Sequence, residues 1–253
     1  MSDRYERIAI VTGTTSGIGE ATMRKFVNAG FGVVGNGRNA EKLFALEKEI
    51  GAAFCSVAGD VADEAVVEEL FAIAQDYFGR AADIVVANAG RGLGGSVTGA
   101  DLSQFEHVLN TNVRGVAALI QKAGLQMASI QEKAFPESAA DIVIIGSVVG
   151  RSISPFSAVY SASKFAVHCL AESLRREIAT KGVRVSLVEP GAVLSGFQAA
   201  AGYGEDVVNS FREKFGPLLI GDDIANAVYH IVSQPPHVHI SDIVVRPTRQ
   251  DYP

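Results

Sequence analysis

The chain has 253 residues, enough for one large α/β domain, and no shift in composition requires a second. Its net charge of −6 with scattered basic residues argues against nucleic acid or an anionic membrane surface as a partner. The sequence shows no signal-peptide pattern and no apolar run of roughly 20 residues, so we expect a cytoplasmic protein with no membrane partner. Its two cysteines, Cys55 and Cys169, have no metal-like spacing, so we expect buried free thiols and no metal site.

The first element is an apolar strand over 8–11 that runs into a glycine turn, Thr12-Gly-Thr-Thr-Ser-Gly-Ile-Gly19, and then a helix to about Ala29. Such a turn lets the backbone approach a pyrophosphate and points the N–H groups of the helix at it. The spacing G-x-x-x-G-x-G therefore predicts a dinucleotide site, although glycines also serve close strand–helix packing without a ligand.

The second strand, 32–36, ends at Gly37 and Arg38, just before a helix over about 40–50. An acidic side chain at this point, about 20 residues past the glycine turn, would bind the adenosine ribose of NAD. Gly37 instead leaves room, and the guanidinium of Arg38 suits a phosphate, so the sequence favours NADP(H). The alternative is a solvated arginine at a helix start.

The next two strands, about 52–57 and 83–87, each end in a polar turn. Asp60 and Val61 follow the first, and Asp63 suffices to cap the helix over 64–78. Asn88-Ala-Gly90 follows the second and leads into a flexible loop, 91–96, that we expect to border a substrate pocket. A long helix over about 103–130, capped by Ser103, then carries Asn112, and a surface loop follows over 131–139.

A fifth strand ends at Ser147, and Tyr160 and Lys164 stand four residues apart in the helical stretch 158–181. That spacing places both side chains on one helix face. An ammonium beside a phenol favours the phenolate and so lowers the tyrosine pKa, which suits proton transfer to or from an alcohol oxygen that Ser147 also holds. Tyr-x-x-x-Lys also occurs in helices by chance, so the pattern alone decides little.

The remaining elements follow Gly182, which is expected to end the helix. A sixth strand over 183–189 leads into Pro190-Gly-Ala-Val193, and 195–217 is interpreted as a short, mobile substrate lid. Asp222 is expected to cap a last helix to about Ser233, before a closing strand over 240–245. His237 and His239 are interpreted as surface residues rather than metal ligands.

Taken together, the Thr-Gly-x-x-x-Gly-Ile-Gly turn, Asn88-Ala-Gly90, Asn112, Ser147 and the pair Tyr160 and Lys164 resemble the short-chain dehydrogenase/reductase family over nearly the whole chain. The resemblance implies a catalytic set of Ser147, Tyr160, Lys164 and Asn112, with Asn112 holding a water that connects Lys164 to solvent. It places the Asp60-Val61 pair against adenine and the Pro190-Gly turn against nicotinamide, with Ser195 where a threonine is usual. The implied cofactor contacts are Gly13, Thr14, Ser16, Gly17, Ile18, Gly19, Gly37, Arg38, Asp60, Val61, Asn88, Ala89, Gly90, Tyr160, Lys164, Pro190, Gly191, Val193 and Ser195.

We therefore expect a single-domain α/β fold of the Rossmann type, a doubly wound parallel sheet of about seven strands with helices on both faces. Its cofactor-binding half would span about 8–90 and its catalytic half about 91–253. Family members pair their long helices, and the apolar residues of 103–130 and 158–181 lead us to expect a homotetramer, with a dimer as second choice.

The expected reaction moves a hydride between NADP(H) and a small alcohol or carbonyl substrate. The tail over 243–250 is similar to that of a subgroup acting on 3-hydroxy acids and semialdehydes, and Arg91 or Arg151 is a candidate to bind a substrate carboxylate. The alternatives are a 3-oxoacyl thioester reductase and a catalytically silent NADP-binding regulatory protein. A sugar-nucleotide epimerase would need a larger C-terminal domain than this chain provides.

Overall fold

Seven apolar segments pair as one parallel sheet in the computed structural model, which describes residues 4–253 except for the side chains of 199 and 200. The strand order is β3-β2-β1-β4-β5-β6-β7. The strands are β1 (Ile8–Thr12), β2 (Gly32–Gly37), β3 (Phe54–Ala58), β4 (Ile84–Ala87), β5 (Ala140–Ile145), β6 (Val183–Pro190) and β7 (Asp242–Val245). The predicted seven-stranded Rossmann-type sheet is confirmed.

Helices cover both faces of the sheet, and the alternation along β1 shows why. Ile8 and Ile10 belong to a core cluster that also takes the apolar faces of α3, α5 and α6, whereas Ala9 and Val11 belong to a second cluster under α1, α2 and α9. The helices are α1 (Gly17–Asn28), α2 (Ala40–Ile50), α3 (Glu64–Phe78), α4 (Phe105–Leu109), α5 (Val116–Ala134), α6 (Ala158–Ile178), α7 (Phe197–Ala200), α8 (Glu205–Phe215) and α9 (Gly221–Val232).

The strand order reverses between β1 and β4, because the chain crosses back over the sheet after β3. In open parallel sheets a ligand binds in the crevice beyond the carboxyl ends of the strands at this switch point. The glycine turn after β1 and the Asn88-Ala-Gly90 turn after β4 both lie there.

A buried ion cluster lies at the amino ends of β5 and β6, opposite the carboxyl ends that form the switch point. Asp141 at the start of β5 has a fully buried side chain and accepts hydrogen bonds from Arg184 on β6, at 2.7 and 2.9 Å, and from Arg7, at 2.7 Å. Arg184 also donates to the carbonyl oxygens of residues 232, 234, 235 and 238. The cluster ties the segment after α9 to the sheet at the end remote from the switch point.

The helix predicted over 103–130 is broken, and this departs from the sequence-based expectation. Asp101, not Ser103, caps its first turn, by accepting from the backbone N–H of Ser103 at 3.0 Å. A π-helical segment, Asn110–Gly115, separates α4 from α5, and α5 continues to Ala134, so that the following loop is shorter than predicted.

Smaller departures occur near the C-terminus. Asp222 does not cap α9; Ile220 is the N-cap residue, and Asp223 accepts from the Ile220 N–H at 2.8 Å. Gly182 does end the α6 segment, as expected, with φ of 78°.

Of the two cysteines, Cys55 is buried as expected, but Cys169 is exposed because it lies on the outer side of α6. In the described part of the chain, no helix is long and apolar enough to cross a bilayer.

Candidate active site

The glycine turn after β1 is hydrogen-bonded to the turn after β4. The Thr12 hydroxyl accepts from the backbone N–H groups of Asn88 and Ala89, at 3.0 and 2.9 Å, and the Asn88 side chain donates to the Thr12 carbonyl at 2.8 Å. A Cβ on Gly13 or Gly19 would lie 2.7 or 2.5 Å from Asn88 Nδ2. These two glycines therefore let Asn88 approach the turn, which no side chain at either position would permit.

The start of α1 suits a pyrophosphate. Ser16, the N-cap residue, makes no side-chain cap hydrogen bond, so it does not compete for the N–H groups of the first turn. Gly17 has φ of 56°, in the left-handed region that favours glycine. A Cβ on Gly17 would lie 3.2 Å from the Ser195 Cβ, so Ser195 lies beside the glycine turn. Thr14 donates to the Asn36 carbonyl from its N–H and its hydroxyl, and Ile18 packs on the core.

Beyond β2 a cleft of about 690 Å³ opens beside Arg38, whose side chain is exposed. Each acidic side chain of the cleft has a partner within the protein. Asp60 and Asp63 accept hydrogen bonds from the backbone N–H groups of residues 62 and 65, and Glu64 forms an ion pair with Arg114. Val61 is buried beneath the cleft, 4% exposed. The complete lining is Arg38, Asp60, Ala62, Asp63, Glu64, Arg91, His107, Asn110, Thr111 and Arg114.

Two sequence-based interpretations change at this cleft. Gly37 is buried, and a Cβ there would lie 2.6 Å from Thr15 Cγ2, so this glycine serves packing against the turn as well as opening space for a phosphate. Arg91, a candidate for a substrate carboxylate, lines the Arg38 cleft instead, and its guanidinium donates to Gln104 at 3.4 Å. No motif indicated this, because residue 91 reaches the cleft only through the packing of the loop after β4.

Ser147, Tyr160 and Lys164 converge at the carboxyl end of β5. Ser147 is 8% exposed, and its hydroxyl accepts from the Val149 N–H at 3.3 Å. Lys164 is 5% exposed and donates from Nζ to the Ile145 carbonyl at 2.7 Å. Its Nζ lies 5.8 Å from the centre of the Tyr160 ring, as side chains four residues apart on one helix face should.

Asn112 joins the loop after β4 to α6. Its amide group donates to the Arg91 carbonyl at 2.9 Å and to the Ser163 hydroxyl at 3.0 Å, and its oxygen accepts from the Arg91 N–H at 2.8 Å. Gly90 lies close by, since a Cβ there would be 3.3 Å from Asn112 Oδ1. Both side-chain donors are therefore used within the protein, and any contact with a water falls to Oδ1 or to the main chain.

The pKa of Tyr160 differs from the sequence-based expectation. Burial raises the pKa of the phenol; the nearby Ser147 hydroxyl opposes this shift and Tyr203 reinforces it. Burial also lowers the pKa of Lys164, to about 8. The sequence-based expectation of a lowered Tyr160 pKa therefore differs from the structure. The ammonium of Lys164 is directed at a carbonyl oxygen, and the cost of desolvating the phenolate outweighs its effect on the phenol.

The Pro190-Gly191 turn is fixed by the C-terminal tail. The Gly191 N–H donates to the Val245 carbonyl at 2.7 Å, and the Ala192 N–H donates to Oε1 of Gln250 at 2.8 Å. A Cβ on Gly191 would lie 2.3 Å from that oxygen, so glycine is required for the contact. Val193 is buried and pairs with Leu219 in an isolated bridge. Sequence reasoning missed Gln250, since nothing near it in the chain indicates a partner 58 residues away.

Segment 195–217 contains helices α7 and α8 and lies over the site. The Phe197 ring is centred 5.3 Å from the Tyr160 ring. The loop after β4 meets it: Cβ atoms on Gly92 and Gly94 would lie 2.6 Å from the Phe197 ring and 2.9 Å from the Tyr203 ring, and the Gly94 N–H donates to the carbonyl of residue 201 at 3.2 Å. The two glycines thus let both aromatic rings pack directly on the loop backbone.

Arg151, the other candidate for a substrate carboxylate, already has a carboxylate partner. Its guanidinium holds Glu189, whose side chain is fully buried, through a 2.9 Å hydrogen bond from Nε and a second contact from Nη2. A bidentate pair of this kind leaves little capacity for a substrate anion.

A doubly wound parallel sheet with a glycine turn at its switch point, and with Ser, Tyr and Lys gathered beside it, defines a dinucleotide-dependent oxidoreductase. Comparison with known proteins agrees. The profile described as short chain dehydrogenase matches residues 7–206, so the chain belongs to the short-chain dehydrogenase family and is an oxidoreductase.

Similar proteins include some with stated activities. Serine 3-dehydrogenase of Agrobacterium fabrum is 33% identical over 96% of this chain and 94% of its own. The structure of the closed form of a serine dehydrogenase complexed with NADP+ superposes with a TM-score of 0.87 at 29% identity, covering 97% of this chain and 96% of that one. The structure of a 3-ketoacyl-(acyl-carrier-protein) reductase from Brucella melitensis complexed with NADH superposes with a TM-score of 0.86 at 27% identity, covering 97% of this chain and 98% of that one.

Proposed function

We propose that the protein is an NADP(H)-dependent oxidoreductase that interconverts a small polar alcohol and its carbonyl partner, with 3-hydroxy acids and semialdehydes as the first substrates to test. The observation that carries the proposal is the convergence of Ser147, Tyr160 and Lys164 beneath the segment 195–217. Likeness to a serine 3-dehydrogenase supports the substrate class.

Each side chain of the site has a proposed part. The Tyr160 phenol gives its proton to a substrate carbonyl oxygen during reduction, and its phenolate takes the proton of the alcohol during oxidation. The Ser147 hydroxyl binds the same oxygen. Lys164, tied to the Ile145 carbonyl, holds the ammonium beside the phenol, and Asn112 braces the loop after β4 against α6.

The glycine turn and its neighbours fit a dinucleotide, because Ser16 makes no side-chain cap hydrogen bond to the first turn of α1, whose N–H groups can then bind a pyrophosphate. When bound, the nicotinamide would supply or accept the hydride. We propose that the cofactor contacts are those expected from the sequence: Gly13, Thr14, Ser16, Gly17, Ile18, Gly19, Gly37, Arg38, Asp60, Val61, Asn88, Ala89, Gly90, Tyr160, Lys164, Pro190, Gly191, Val193 and Ser195.

NADP(H) is favoured over NAD(H) by the charges of the adenosine cleft. Among its arginines, Arg114 is paired with Glu64, whereas Arg38 is exposed and the Arg91 guanidinium donates to the side-chain oxygen of Gln104, a neutral amide. Guanidinium groups are well suited to a phosphate. We propose that Arg38, assisted by Arg91, binds the 2′-phosphate.

The cofactor proposal is tested by titrating NADPH and NADH into single variants. Arg38→Ala should weaken NADPH by roughly 1.5–3 kcal/mol, the value of a hydrogen bond to a charged group, and leave NADH nearly unchanged. Arg91→Ala should act in the same direction with a smaller loss. Arg114→Ala is the matched control, since this arginine of the same cleft is paired with Glu64. Equal losses of both cofactors in Arg38→Ala would refute the assignment.

The substrate proposal is tested by a panel measured through NADPH consumption. It should contain semialdehydes, 3-oxo acids, simple ketones and 3-oxoacyl thioesters, with 3-hydroxy acids and neutral hydroxy analogues in reverse. Neutral analogues belong in it because Arg151 is held by Glu189 and does not offer a carboxylate site. The second candidate, a 3-oxoacyl thioester reductase, is favoured by the likeness to the Brucella reductase. A clear preference for thioesters would establish that candidate and overturn the small-alcohol proposal.

A further inference from the structure

His168 lies behind the proposed catalytic serine, in a slot that only glycine can line. It follows Tyr160 and Lys164 on the same face of α6, at steps of four residues, and its side chain is 14% exposed. Cβ atoms on Gly146 and Gly150 would lie 2.4 and 2.5 Å from its Nε2. These glycines flank Ser147 in the chain, so the imidazole sits against the backbone that carries the serine.

The hydrogen bonds around the ring determine its tautomer. Nε2 lies 3.3 Å from the Ser147 nitrogen and accepts its N–H, so Nε2 carries no proton and the neutral ring is protonated at Nδ1. Nδ1 faces Oε2 of Glu189 at 3.9 Å. Glu189 is fully buried, and Arg151 holds it from the solvent side.

We propose that His168, oriented by the Glu189–Arg151 pair, is a positioning residue that holds Ser147 in place for the reaction. The inference rests on the proposed function, because it concerns the serine assigned there to bind the substrate oxygen. Ser147 is then held at two points, its N–H by His168 and its hydroxyl oxygen by the Val149 N–H. The remaining freedom of the hydroxyl is the direction of its proton, towards Tyr160 or the substrate.

This support works only while the imidazole is neutral. A proton on Nε2 would turn the acceptor into a donor facing the donor N–H of Ser147, and the bond would be lost. Burial, Lys164 on α6 and Arg151 lower the pKa of His168, while Glu189 on β6 and Asp242 on β7 raise it; the net shift is downward. The support is therefore complete at neutral pH and is lost only on acidification below the ordinary histidine range.

Two substitutions at His168 separate positioning from general stability. His168→Leu removes the acceptor and should lower kcat roughly tenfold, the kinetic equivalent of one lost hydrogen bond, with little change in the KM for NADPH. His168→Gln keeps an acceptor oxygen at similar reach but does not titrate. It should restore kcat to within a few-fold of the native value and remove the acid limb that His168 imposes on the pH profile.

Glu189→Gln and His237→Gln complete the kinetic test. Glu189→Gln removes a charge that favours the imidazolium, so the acid limb should move to lower pH; His237 is exposed, and its glutamine variant should keep the native profile. Native kcat in a folded His168→Leu variant would overturn the proposal. So would equal losses in the leucine and glutamine variants, or an acid limb that survives in His168→Gln.

A measurement without substrate separates this inference from the proposed function. The backbone amide resonance of Ser147, followed by NMR as pH falls, should shift with the titration of the His168 ring and should not shift in His168→Gln. An amide that ignores the ring titration would overturn the inference even in an active enzyme. If the amide responds but no compound of the panel is turned over, the proposed function fails and the structural support of Ser147 stands.

Discussion

At the scale of single residues, the proposed chemistry depends on a phenol in an environment that favours its neutral form. Burial raises the pKa of Tyr160, and the Phe197 ring lies against it. A neutral phenol is the form that donates a proton to a carbonyl oxygen, so the site as folded is suited to the reduction direction.

Tyr160→Phe should lower turnover roughly 10²- to 10⁴-fold, because the substitution removes the proton donor and little else. The binding of NADPH, measured by fluorescence titration, should be largely retained, since the turn, Arg38 and the Asn88 region are untouched. A folded variant with near-native turnover would contradict the proposed role of Tyr160.

A second prediction concerns Lys164, whose titration should make the free energy of unfolding depend on pH. Its pKa is lowered from 10.5 to about 8 by burial. Below pH 8 both folded and unfolded chains carry the proton, and the cost of burying the ammonium is fully present. Between about pH 8 and 10.5 the unfolded chain binds more protons, so this group makes stability rise with pH, by about 3 kcal/mol in all.

Lys164→Met should therefore be more stable than the native chain at pH 7, and the difference in the free energy of unfolding should shrink towards pH 10. Denaturant titrations of both proteins at several pH values measure this, and the comparison cancels other titrating groups. A stability difference that does not depend on pH would show that the Lys164 pKa is not lowered.

At the scale of elements, the break between α4 and α5 brings Asn112 to the site. The π-helical segment Asn110–Gly115 turns the Asn112 side chain towards Arg91 and Ser163. Gly115 closes this segment against the loop after β3, where a Cβ would lie 2.9 Å from Val61 Cγ1 and 3.3 Å from the Ala62 nitrogen. The same glycine thus serves the approach of α5 to the proposed adenosine site.

Gly115→Ala should destabilise the protein by about 1–3 kcal/mol, because the added methyl group meets the buried Val61 side chain and the backbone at Val61 and Ala62, which leave it little room. Gly124→Ala is the matched control within α5. Its Cβ would meet the ends of two side chains, Leu174 at 3.1 Å and Ile178 at 3.6 Å, and alanine favours a helix, so the net change should stay within about 1 kcal/mol. Thermal unfolding of both variants measures the difference, and equal effects would contradict the role given to the Gly115 contact.

At the scale of the whole molecule, apolar side chains remain uncovered on the two helices that were expected to pair. Leu125 on α5 is 72% exposed and Phe165 on α6 is 41% exposed, although the inner faces of both helices are buried in the core. Apolar surface of this kind marks contact sites between chains where it forms a contiguous patch. We propose that copies of the chain pair through α5 and α6 in a homotetramer, with a dimer as second choice.

Sedimentation velocity at micromolar concentration should show the tetramer, and Leu125→Glu or Phe165→Glu should shift it to smaller species by placing a charge in the contact. Phe44→Glu is the control, since Phe44 is 57% exposed on α2, away from both helices. A native chain that sediments as a stable monomer would contradict the proposal, and so would a control that dissociates as readily as the two variants.

The sequence by itself determined the order of the elements and the class of the fold. Apolar runs predicted the strands, as with 183–189 against the observed Val183–Pro190, and the predicted bounds 64–78 of one helix match α3. These signals are local: strand hydrophobicity and caps such as Asp63 are properties of neighbouring residues. For the same reason the four-residue spacing of Tyr160 and Lys164 was enough to place them on one helix face.

Only the tertiary structure decided what depends on contacts between distant segments. It paired Arg151 with Glu189, directed Arg91 into the cleft of Arg38, and raised the pKa of Tyr160 where a local argument predicted a lowering. It also placed His168 behind Ser147, in a slot between two glycines 18 to 22 residues earlier in the chain. Burial and long-range partners set these properties, because desolvation and pairing energies depend on which groups the fold brings together and not on the order of residues along the chain.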